Sequence, residues 1–443
     1  MVESHQQVET MRITYIVHGY PPSEHAGTEQ HTALLVEAMK DLGHTVQVIS
    51  ATRSIGHPHL HIIENPIENI LRIVNNIPSR PLSTGETDKN VAHIITSLVD
   101  KFAPDIIHIQ HIQFLSSSLR FSQPTIYTLH DAWLWCPSGG TLLQLPQKKR
   151  CTGPSPEKCP SCYAHWQPKP STTAFTLLKI AEKLHPYISP TTLHQLWKKL
   201  PPRLREPIAK EKHNTASPET AEHFQRRQDT MLEFASHMQV LVSPSFFLQH
   251  QAHTQGISTI RVIAHGVHVP PNITGSHIGG QGFVYIGTMR QHKGPQIIDT
   301  AYNKAFPNKD IPLRFYGDGP VTVSNPTHPA VSREKVFSLL QHADYLVLGS
   351  IWPENAPLII LEARAIGCPI IAPNIGGIPE ILENNKDGFL YKVGDIDDLA
   401  ETMQRALRYL HTEKIHPTLP PHTQTMIEQY HSLYQELCSL SRP

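Results

Sequence analysis

Residues 11–50 have the sequence MRITYIVHGYPPSEHAGTEQHTALLVEAMKDLGHTVQVIS, and this stretch decides the fold class. Apolar runs at 11–17 and 45–50 predict two strands. Between them lie a Gly/Pro loop and a segment whose apolar residues recur at helical spacing, with Gly43 at the expected C-terminal cap. Strand, loop, helix and strand in this order form a βαβ unit, which predicts a parallel sheet in an α/β protein.

The same pattern continues along the chain in two series. Further apolar runs that predict strands lie at residues 105–110, 125–131, 239–245, 260–267, 282–287, 313–317, 343–349, 368–373 and 388–391. We therefore predict two Rossmann-like domains with parallel sheets that face each other across a cleft, one over residues 1–245 and one over residues 246–415. Residues 136 to about 230 break the alternation with prolines, cysteines and basic segments and are interpreted as an insertion. Residues 416–443 predict a closing helix.

Length and charge exclude several classes of protein. A chain of 443 residues is long enough for two packed domains, and 39% hydrophobic with 17% charged residues is typical of globular proteins. The 38 basic residues balance the 38 acidic ones, which argues against a generic nucleic-acid binder. No segment has the roughly 18 apolar residues of a membrane-spanning helix, and the N-terminus lacks a signal-peptide pattern. We therefore expect a cytoplasmic protein.

The segment PENAPLIILEARAIG, residues 353–367, carries Glu354 and Glu362, eight positions apart. A strand end, a turn and a helix start expose free backbone N–H groups and the positive end of the helix dipole, which together favour a phosphate. A carboxylate further into such a helix can accept hydrogen bonds from sugar hydroxyls. The pair therefore predicts a ligand with both phosphate and sugar. The alternative is a helix cap at Glu354 and a solvated helix residue at Glu362.

Several motifs in the same order along the chain resemble the retaining glycosyltransferases of family 4, which have the two-domain GT-B fold and a Glu-x7-Glu motif. They are GYPPSEHAGTEQH near the start, TLHDAWLWCP at 128–137, SPSFF at 243–247, VIAHGV at 262–267, GTMRQHKG at 287–294, FYGDGP at 315–320, and the Glu354 segment followed by DGFLYKVGDIDDLA. The resemblance covers nearly the whole chain outside the insertion. It implies an enzyme that moves a sugar from a nucleotide diphosphate sugar to a hydroxyl acceptor, in cell-surface polysaccharide or glycolipid assembly.

The resemblance assigns the donor site residue by residue. It implies that Glu362 holds the nucleotide ribose and that Glu354 meets the hydroxyls of the donor sugar as a catalytic residue. Lys293 matches the family's diphosphate lysine, which offsets the charge on the leaving nucleotide; a Lys-Gly pair alone would indicate a surface turn. The backbone expected to cradle the diphosphate and sugar is that of Asn355, Ala356, Pro357 and Leu358.

The resemblance also assigns residues around the cleft. His130, at the end of strand 125–131, matches the family's interdomain histidine beside the transferred sugar and is the second expected catalytic residue; the alternative is a satisfied core histidine. Gly317 and Gly319 allow a loop to approach the nucleotide, or form an ordinary turn. Gly27 allows the close approach that a phosphate or acceptor needs, or simply starts a helix.

The sequence departs from the family at Thr288, where many members carry an arginine directly after the strand-ending glycine. Either Arg290 contacts the diphosphate instead, or the site works with one cation. The resemblance implies retention by a front-face route, in which the leaving phosphate oxygen accepts the proton of the acceptor. That route uses no protein nucleophile and needs no metal or other cofactor for catalysis.

Four of the six cysteines cluster in the insertion: Cys136, Cys151, Cys159 and Cys162. Four thiolates are the ligand set of a closed, structural zinc site, although the spacing is looser than that of a zinc ribbon. Free thiols and a redox or iron–sulfur role are the alternatives.

Residues 171–213 form a basic stretch with eight basic and three acidic residues, 8 − 3 = +5, interspersed with Leu, Phe and Trp. Such a stretch can lie on an anionic membrane surface and meet a lipid-linked acceptor, which implies peripheral contact at the inner membrane face. Solvated helices that cover the insertion are the simpler interpretation.

Two other functions compete with glycosyl transfer. A sugar-nucleotide epimerase of the same fold would need acid/base groups at the cleft and no acceptor. A non-catalytic nucleotide-sugar-binding protein would keep the fold without turnover. Thr288 supports the second of these, whereas Glu354, Glu362, Lys293 and His130 oppose it.

Overall fold

The structure is a computed structural model. It describes residues 10–24, 26–76, 88–166, 172–201, 220–270, 273, 277–410, 415, 417–421 and 423–440. Strands and helices alternate along most of this length and build two separate sheets, so the predicted pair of Rossmann-like domains is confirmed.

The described part of the N-terminal half contains ten strands. They are Arg12–Val17 (β1), Thr45–Thr52 (β2), Ile62–Asn65 (β3), Ile70–Val74 (β4), Ile106–Ile109 (β5), Thr125–Thr128 (β6), Leu143–Gln144 (β7), Lys149–Arg150 (β8), Val240–Ser243 (β9) and Ile260–Val262 (β10). Strands β7 and β8 form a separate hairpin inside the predicted insertion. The other eight form one sheet in the order β10-β9-β6-β5-β1-β2-β4-β3, in which only the edge pair β3–β4 is antiparallel. Strands β5, β6 and β9 are buried along their whole length, as parallel strands covered by helices on both faces must be.

Within the described residues, seven helices belong to this half of the chain. They are Gly27–Asp41 (α1), Lys89–Phe102 (α2), Cys159–Trp166 (α3), Thr172–Leu184 (α4), Pro190–Lys199 (α5), Ala221–Ser236 (α6) and Phe246–His253 (α7). Local sequence determines where these helices begin and end. Helix α2 begins where the Asp88 carboxylate accepts hydrogen bonds from the backbone amides of Asn90 and Val91. It ends at Ala103, whose backbone is left-handed with φ 49°.

The C-terminal half forms a second, wholly parallel sheet. Its strands are Phe283–Ile286 (β11), Leu313–Tyr316 (β12), Thr327–His328 (β13), Tyr345–Val347 (β14), Ile370–Pro373 (β15) and Gly388–Tyr391 (β16), in the order β13-β12-β11-β14-β15-β16. The helices are Pro295–Ala305 (α8), Arg333–His342 (α9), Leu358–Ala365 (α10), Ile378–Ile381 (α11) and Ile396–Arg408 (α12). The strand order reverses around β11 and β14, and ligands of open α/β sheets bind at the carboxyl ends of strands at such a point.

The last helix, Thr423–Leu440 (α13), crosses back to the first domain. Tyr430 and Tyr434 are buried there, and the Tyr434 hydroxyl lies 2.9 Å from that of Tyr15 and 2.6 Å from His108 Nδ1. The chain therefore passes twice between the domains. Among the described helices, none combines the length and apolar character that crossing a membrane requires.

One predicted boundary needs correction. Strand β10 pairs with β9 in the first sheet, so this sheet extends past residue 245, where the sequence analysis ended the N-terminal domain. Helix α7 connects the two strands and packs against both of them. The physical reason is that sheet membership depends on long-range pairing, which a local apolar pattern does not encode.

Candidate active site

Two loops at the carboxyl ends of β11 and β14 bring Lys293 and Glu354 together. Lys293 ends a short 3-10 turn, and its Nζ lies 2.7 Å from Glu354 Oε1. The same oxygen accepts hydrogen bonds from Ser350 Oγ at 2.7 Å and Trp352 Nε1 at 2.9 Å. Burial alone would raise the pKa of Glu354, but the Lys293 ammonium and these hydrogen bonds outweigh it and lower the pKa below its ordinary value. Glu354 is therefore an ionised carboxylate in the cleft.

Glycines hold these loops in contact, a feature that the sequence analysis missed. A Cβ on Gly294 would lie 1.8 Å from the carbonyl oxygen of Gly349, and Gly294 has φ 66°. Likewise, a Cβ on Gly376 would lie 2.2 Å from the carbonyl oxygen of Glu354. Only glycine permits both the left-handed backbone and this approach. The positions of Lys293 and Glu354 thus depend on backbone-to-backbone packing.

The start of α10 offers backbone donors to the cleft. Within the described residues, no hydrogen bond engages the amides of Asn355, Ala356 or Leu358. Gly27, at the start of α1, faces this helix across the cleft, since a Cβ there would lie 3.8 Å from Leu358 Cδ1. Two helix N-termini and the Lys293 ammonium therefore converge, which favours a bound anion.

Glu362 lies on the second turn of α10 and pairs with a cation from α9. Its Oε1 is 3.4 Å from Arg333 Nη2. Arg333 also donates to the carbonyl oxygen of His268 at 3.1 Å and to Gln30 Oε1 on α1 at 3.4 Å. Burial raises the pKa of Glu362 to about 7, and Arg333 only partly opposes that rise. Glu362 thus titrates in the physiological range.

His130 follows β6 and lies half-buried on the N-terminal side of the cleft. Its Nε2 is 2.8 Å from Gln110 Oε1, and burial, with neighbouring histidines, lowers its pKa well below the ordinary value. The Asn355 side chain donates across the cleft to the carbonyl oxygens of Leu129, at 3.2 Å, and His130, at 3.1 Å. It also accepts from Ser245. Asn355 therefore ties His130 to the loop that bears Glu354.

Two further histidines, His31 and His265, surround His130 and were not predicted from the sequence. The ring centroid of His31 lies 4.2 Å from that of His265 and 5.2 Å from that of His130. Both ring nitrogens of His31 are buried without a hydrogen-bond partner among the described residues. One feature of the sequence could have identified His31: it lies on the buried face of the amphipathic helix α1, which starts at Gly27.

The remaining predicted donor residues are located as follows. Arg290 and Thr288 are exposed beside this site, and Arg290 forms no salt bridge within the described part of the chain. Cβ atoms on Gly317 and Gly319 would lie 1.8 Å from the carbonyl oxygen of Gly287 and 2.3 Å from that of Met289. These two glycines are therefore required by packing against the turn after β11, whether or not a nucleotide lies there.

The cysteine cluster and the basic stretch are the two remaining predicted features. Cys136, Cys151, Cys159 and Cys162 line one cavity. Lys179, Lys183, Lys198 and Lys199 are exposed on α4 and α5. Arg203, Arg205, Lys210 and Lys212 fall outside the described residues.

Two family models match the chain. The model "Glycosyltransferase Family 4" matches residues 25–153, which include Gly27 and His130. The model "Glycosyl transferases group 1" matches residues 327–413, which include Glu354 and Glu362.

Curated relatives are similar over shorter stretches. An N-acetyl-alpha-D-glucosaminyl L-malate synthase from Bacillus anthracis is 26% identical over 35% of this chain and 45% of its own length. A UDP-Gal:alpha-D-GlcNAc-diphosphoundecaprenol alpha-1,3-galactosyltransferase from Escherichia coli is 40% identical over 16% of this chain and 19% of its own length. The chain thus spans less than half the length of each of these relatives.

Solved structures match along nearly the whole chain. Sucrose-phosphate synthase from Thermosynechococcus elongatus is 16% identical with a TM-score of 0.62, over 97% of this chain and 100% of that one. Anabaena Alr3699/HepE in complex with UDP-glucose is 15% identical with a TM-score of 0.53, over 97% and 99%. At these identities the likeness shows the fold.

Proposed function

Because the chain belongs to family 4 of the glycosyltransferases and has their GT-B fold, we propose that it transfers a sugar from a nucleoside diphosphate sugar to a hydroxyl group with retention of anomeric configuration. The observation that carries this proposal is the convergence in one cleft of Lys293, the start of α10 and the carboxylate of Glu354. The first two suit a diphosphate and the third suits sugar hydroxyls.

The proposed chemistry is a front-face displacement. The bond between the anomeric carbon and the leaving phosphate oxygen breaks, and the acceptor oxygen forms its bond on the same face. The leaving phosphate oxygen takes the acceptor's proton, so no enzyme carboxylate becomes glycosylated. Lys293 and the amides at the start of α10 stabilise the charge that develops on the diphosphate. Glu354 and the neutral His130 orient the sugar through its hydroxyls.

We further propose that no metal ion takes part in this step, because Lys293 and the helix dipole supply the positive charge. Glycosyl transfer should therefore persist in the presence of a chelator. Complete and reversible loss of transfer in EDTA, restored by a divalent metal, would contradict this part of the proposal.

Uridine nucleotides are the first donors to test. The Escherichia coli relative is named for UDP-galactose, and the HepE structure holds UDP-glucose. The acceptor of that relative is a sugar on diphosphoundecaprenol, which supports a saccharide or lipid-linked acceptor in polysaccharide or glycolipid assembly.

A lipid-linked acceptor would bring the chain to the cytoplasmic face of the inner membrane. The exposed lysines of α4 and α5 fit an anionic headgroup surface, and Leu196 beside them is half exposed. We expect the full chain to co-sediment with vesicles of anionic lipid at low salt and not with neutral vesicles. Equal recovery with both vesicle types would remove the membrane proposal while leaving glycosyl transfer intact.

The experiment that tests the function has two stages. Thermal shifts with UDP-, GDP-, ADP- and dTDP-sugars identify the donor, since a ligand at about 100 times its Kd adds roughly 2.7 kcal/mol to stability. Transfer to saccharide and lipid-linked acceptors is then followed by NMR of the new anomeric centre. A product with the donor's configuration supports retention, and an inverted product overturns it.

One observation supports an epimerase as the second candidate function. His31 and His265, close to His130, place further acid/base groups at the cleft. An epimerase would convert the donor without any acceptor and would exchange a sugar C–H proton with deuterium from solvent. A transferase would do neither. Selective donor binding without turnover in either assay would favour the non-catalytic alternative.

A further inference from the structure

Four thiols outside the active site line one small cavity. Cys136 lies six residues after His130, Cys151 follows the β7–β8 hairpin, and Cys159 and Cys162 lie one turn apart at the start of α3. The cavity has about 20 Å³ of space for a water-sized sphere. That space corresponds to about one water molecule, so it admits a single ion.

The surroundings of these sulfurs offer hydrogen bonds to anionic sulfur. The amide of Ser155 donates to Cys159 Sγ at 3.3 Å, and the amide of Leu145 donates to Cys162 Sγ at 3.3 Å. The Ser138 hydroxyl is also 3.3 Å from Cys162 Sγ. Such donors orient and stabilise thiolate ligands around a metal.

An independent observation comes from Arg227 on α6, which is only 2% exposed. Its guanidinium donates to the carbonyl oxygens of Trp133 and Leu134, and its Nε has no hydrogen-bond partner among the described residues. It forms no salt bridge with a carboxylate in the part of the chain that the structure describes, and it lines one small pocket together with Cys159. A buried cation is stabilised by a nearby negative charge, and a metal-bound thiolate at Cys159 would supply one.

We propose that Cys136, Cys151, Cys159 and Cys162 bind one structural zinc ion and that Arg227 offsets part of its negative charge. On binding, each thiol releases one proton to solvent, so four thiolates and Zn²⁺ carry a net charge of −2. Four sulfur ligands fill the tetrahedral shell and leave no open position for catalysis. The ion would join the loop after His130 to α3 and the hairpin.

The cysteine side chains must rotate before they can bind the zinc ion. Among the described residues, no three Cys, His, Asp or Glu side chains already stand where they could hold a metal. Cys151 Sγ instead donates to the carbonyl oxygen of Gly153 at 3.1 Å, and Cys162 Sγ to that of Leu143 at 3.4 Å. These are contacts of protonated thiols. Deprotonation ends both of them and frees each sulfur to rotate into the shared cavity.

Metal analysis of the full chain, purified with reductant and without chelator, should find about one zinc per chain. The double variant C159S/C162S should lose it. The matched control C368S/C438S changes the two buried cysteines outside the cluster and should keep it. Absence of zinc from the wild type, iron in its place, or full zinc in C159S/C162S would each overturn the proposal.

A second measurement covers the case in which C159S/C162S does not fold. Co²⁺ added to zinc-depleted wild-type chain should give the intense visible absorption of a tetrahedral thiolate site, with one equivalent at saturation. A weak octahedral spectrum contradicts the assignment. For Arg227, R227M should bind zinc at least about tenfold more weakly in competition with a chromophoric chelator; unchanged affinity removes its charge-balancing role.

Discussion

Lys293 Nζ lies 2.7 Å from Glu354 Oε1, so two residues 61 positions apart form one ion pair at the cleft. Glu354 is buried, whereas the Lys293 side chain is 28% exposed and therefore still reaches ligand. An ammonium has three donors, and one bond to Glu354 leaves the others for a diphosphate. The pair thus fixes the lysine in place before the donor arrives.

The first prediction concerns this lysine. K293A should lower kcat/KM for transfer about 100-fold, because it removes the positive charge that we propose stabilises the leaving diphosphate. The control K304A changes an exposed lysine on α8 that pairs with Asp397, and it should behave like the wild type. Steady-state kinetics with both variants test this; equal activity of K293A and K304A would contradict the assigned role.

A second prediction uses the pKa of Glu362, which burial raises from 4.5 to about 7. If Glu362 holds the ribose, as the family resemblance implies, the hydroxyls donate to its ionised form, so affinity for the nucleotide should fall about tenfold between pH 8 and pH 6 as Glu362 takes up a proton. E362Q should bind weakly and show no such pH dependence. Calorimetric titrations with UDP at several pH values measure both, and a wild-type affinity independent of pH would count against the ribose contact.

The same raised pKa also makes a prediction about stability. Between pH 4.5 and 7 the folded state holds a proton that the unfolded state has lost, so Glu362 lowers the free energy of unfolding as pH rises. The shift corresponds to a loss of roughly 3 kcal/mol by pH 7.5. E362Q should lack this loss, and the control E401Q, an exposed site on α12, should retain it. Urea unfolding at pH 5 and 7.5 measures this loss of the free energy of unfolding. An equal loss in wild type and E362Q would refute the prediction.

His265 should act in the opposite direction. Burial lowers its pKa from 6.5 to about 4. Between pH 6.5 and 4, His265 is therefore protonated in the unfolded state and neutral in the folded state. Stability is therefore lost as pH falls from 6.5 towards 4, by about 2 kcal/mol at pH 5 from this residue. H265Q should lose less stability between pH 7.5 and pH 5 than the wild type, while H253Q, on the exposed end of α7, should match the wild type. An unchanged acid dependence in H265Q would disprove the contribution.

The sequence predicts most of the fold because each apolar run is a local signal. The run at 11–17 became Arg12–Val17, and the last helical segment became Thr423–Leu440. The sequence analysis did not identify β3 or β4. Strand β3, Ile62–Asn65, is a partly exposed edge strand with a mixed pattern. Pairing partners are long-range, which is why β10 was assigned to the wrong domain.

For the site, motifs identified the residues that bear charge but not their supports. Ser350 and Trp352 contact Glu354 only because the chain turns back on itself there. In the sequence, His31 is one residue of an ordinary amphipathic helix, and only the folded structure shows that it lies beside His265. The His31–His265 contact arises from tertiary packing, whereas the Ser350 and Trp352 contacts depend on the conformation of the loop that they share with Glu354; a local apolar pattern predicts neither.

The final prediction concerns the close approach, at Gly294, of the loops that follow β11 and β14. Both Gly294 and Gly394 have positive φ, 66° and 72°, so alanine at either position pays the left-handed penalty of about 1 kcal/mol. Only at Gly294 would the new Cβ also meet backbone, 1.8 Å from the carbonyl oxygen of Gly349; at Gly394 nothing lies within 4 Å. G394A should therefore cost about 1 kcal/mol and keep full activity.

G294A should cost at least about 3 kcal/mol, because rigid backbone must move to admit the methyl group. The loop of Lys293 would separate from that of Glu354, so the folded fraction of G294A should also bind donor more weakly. Denaturant unfolding and donor titration of the two variants, side by side, measure these effects. Equal stability of G294A and G394A would show that the loops can separate without cost, and that the Lys293–Glu354 pair does not depend on their contact.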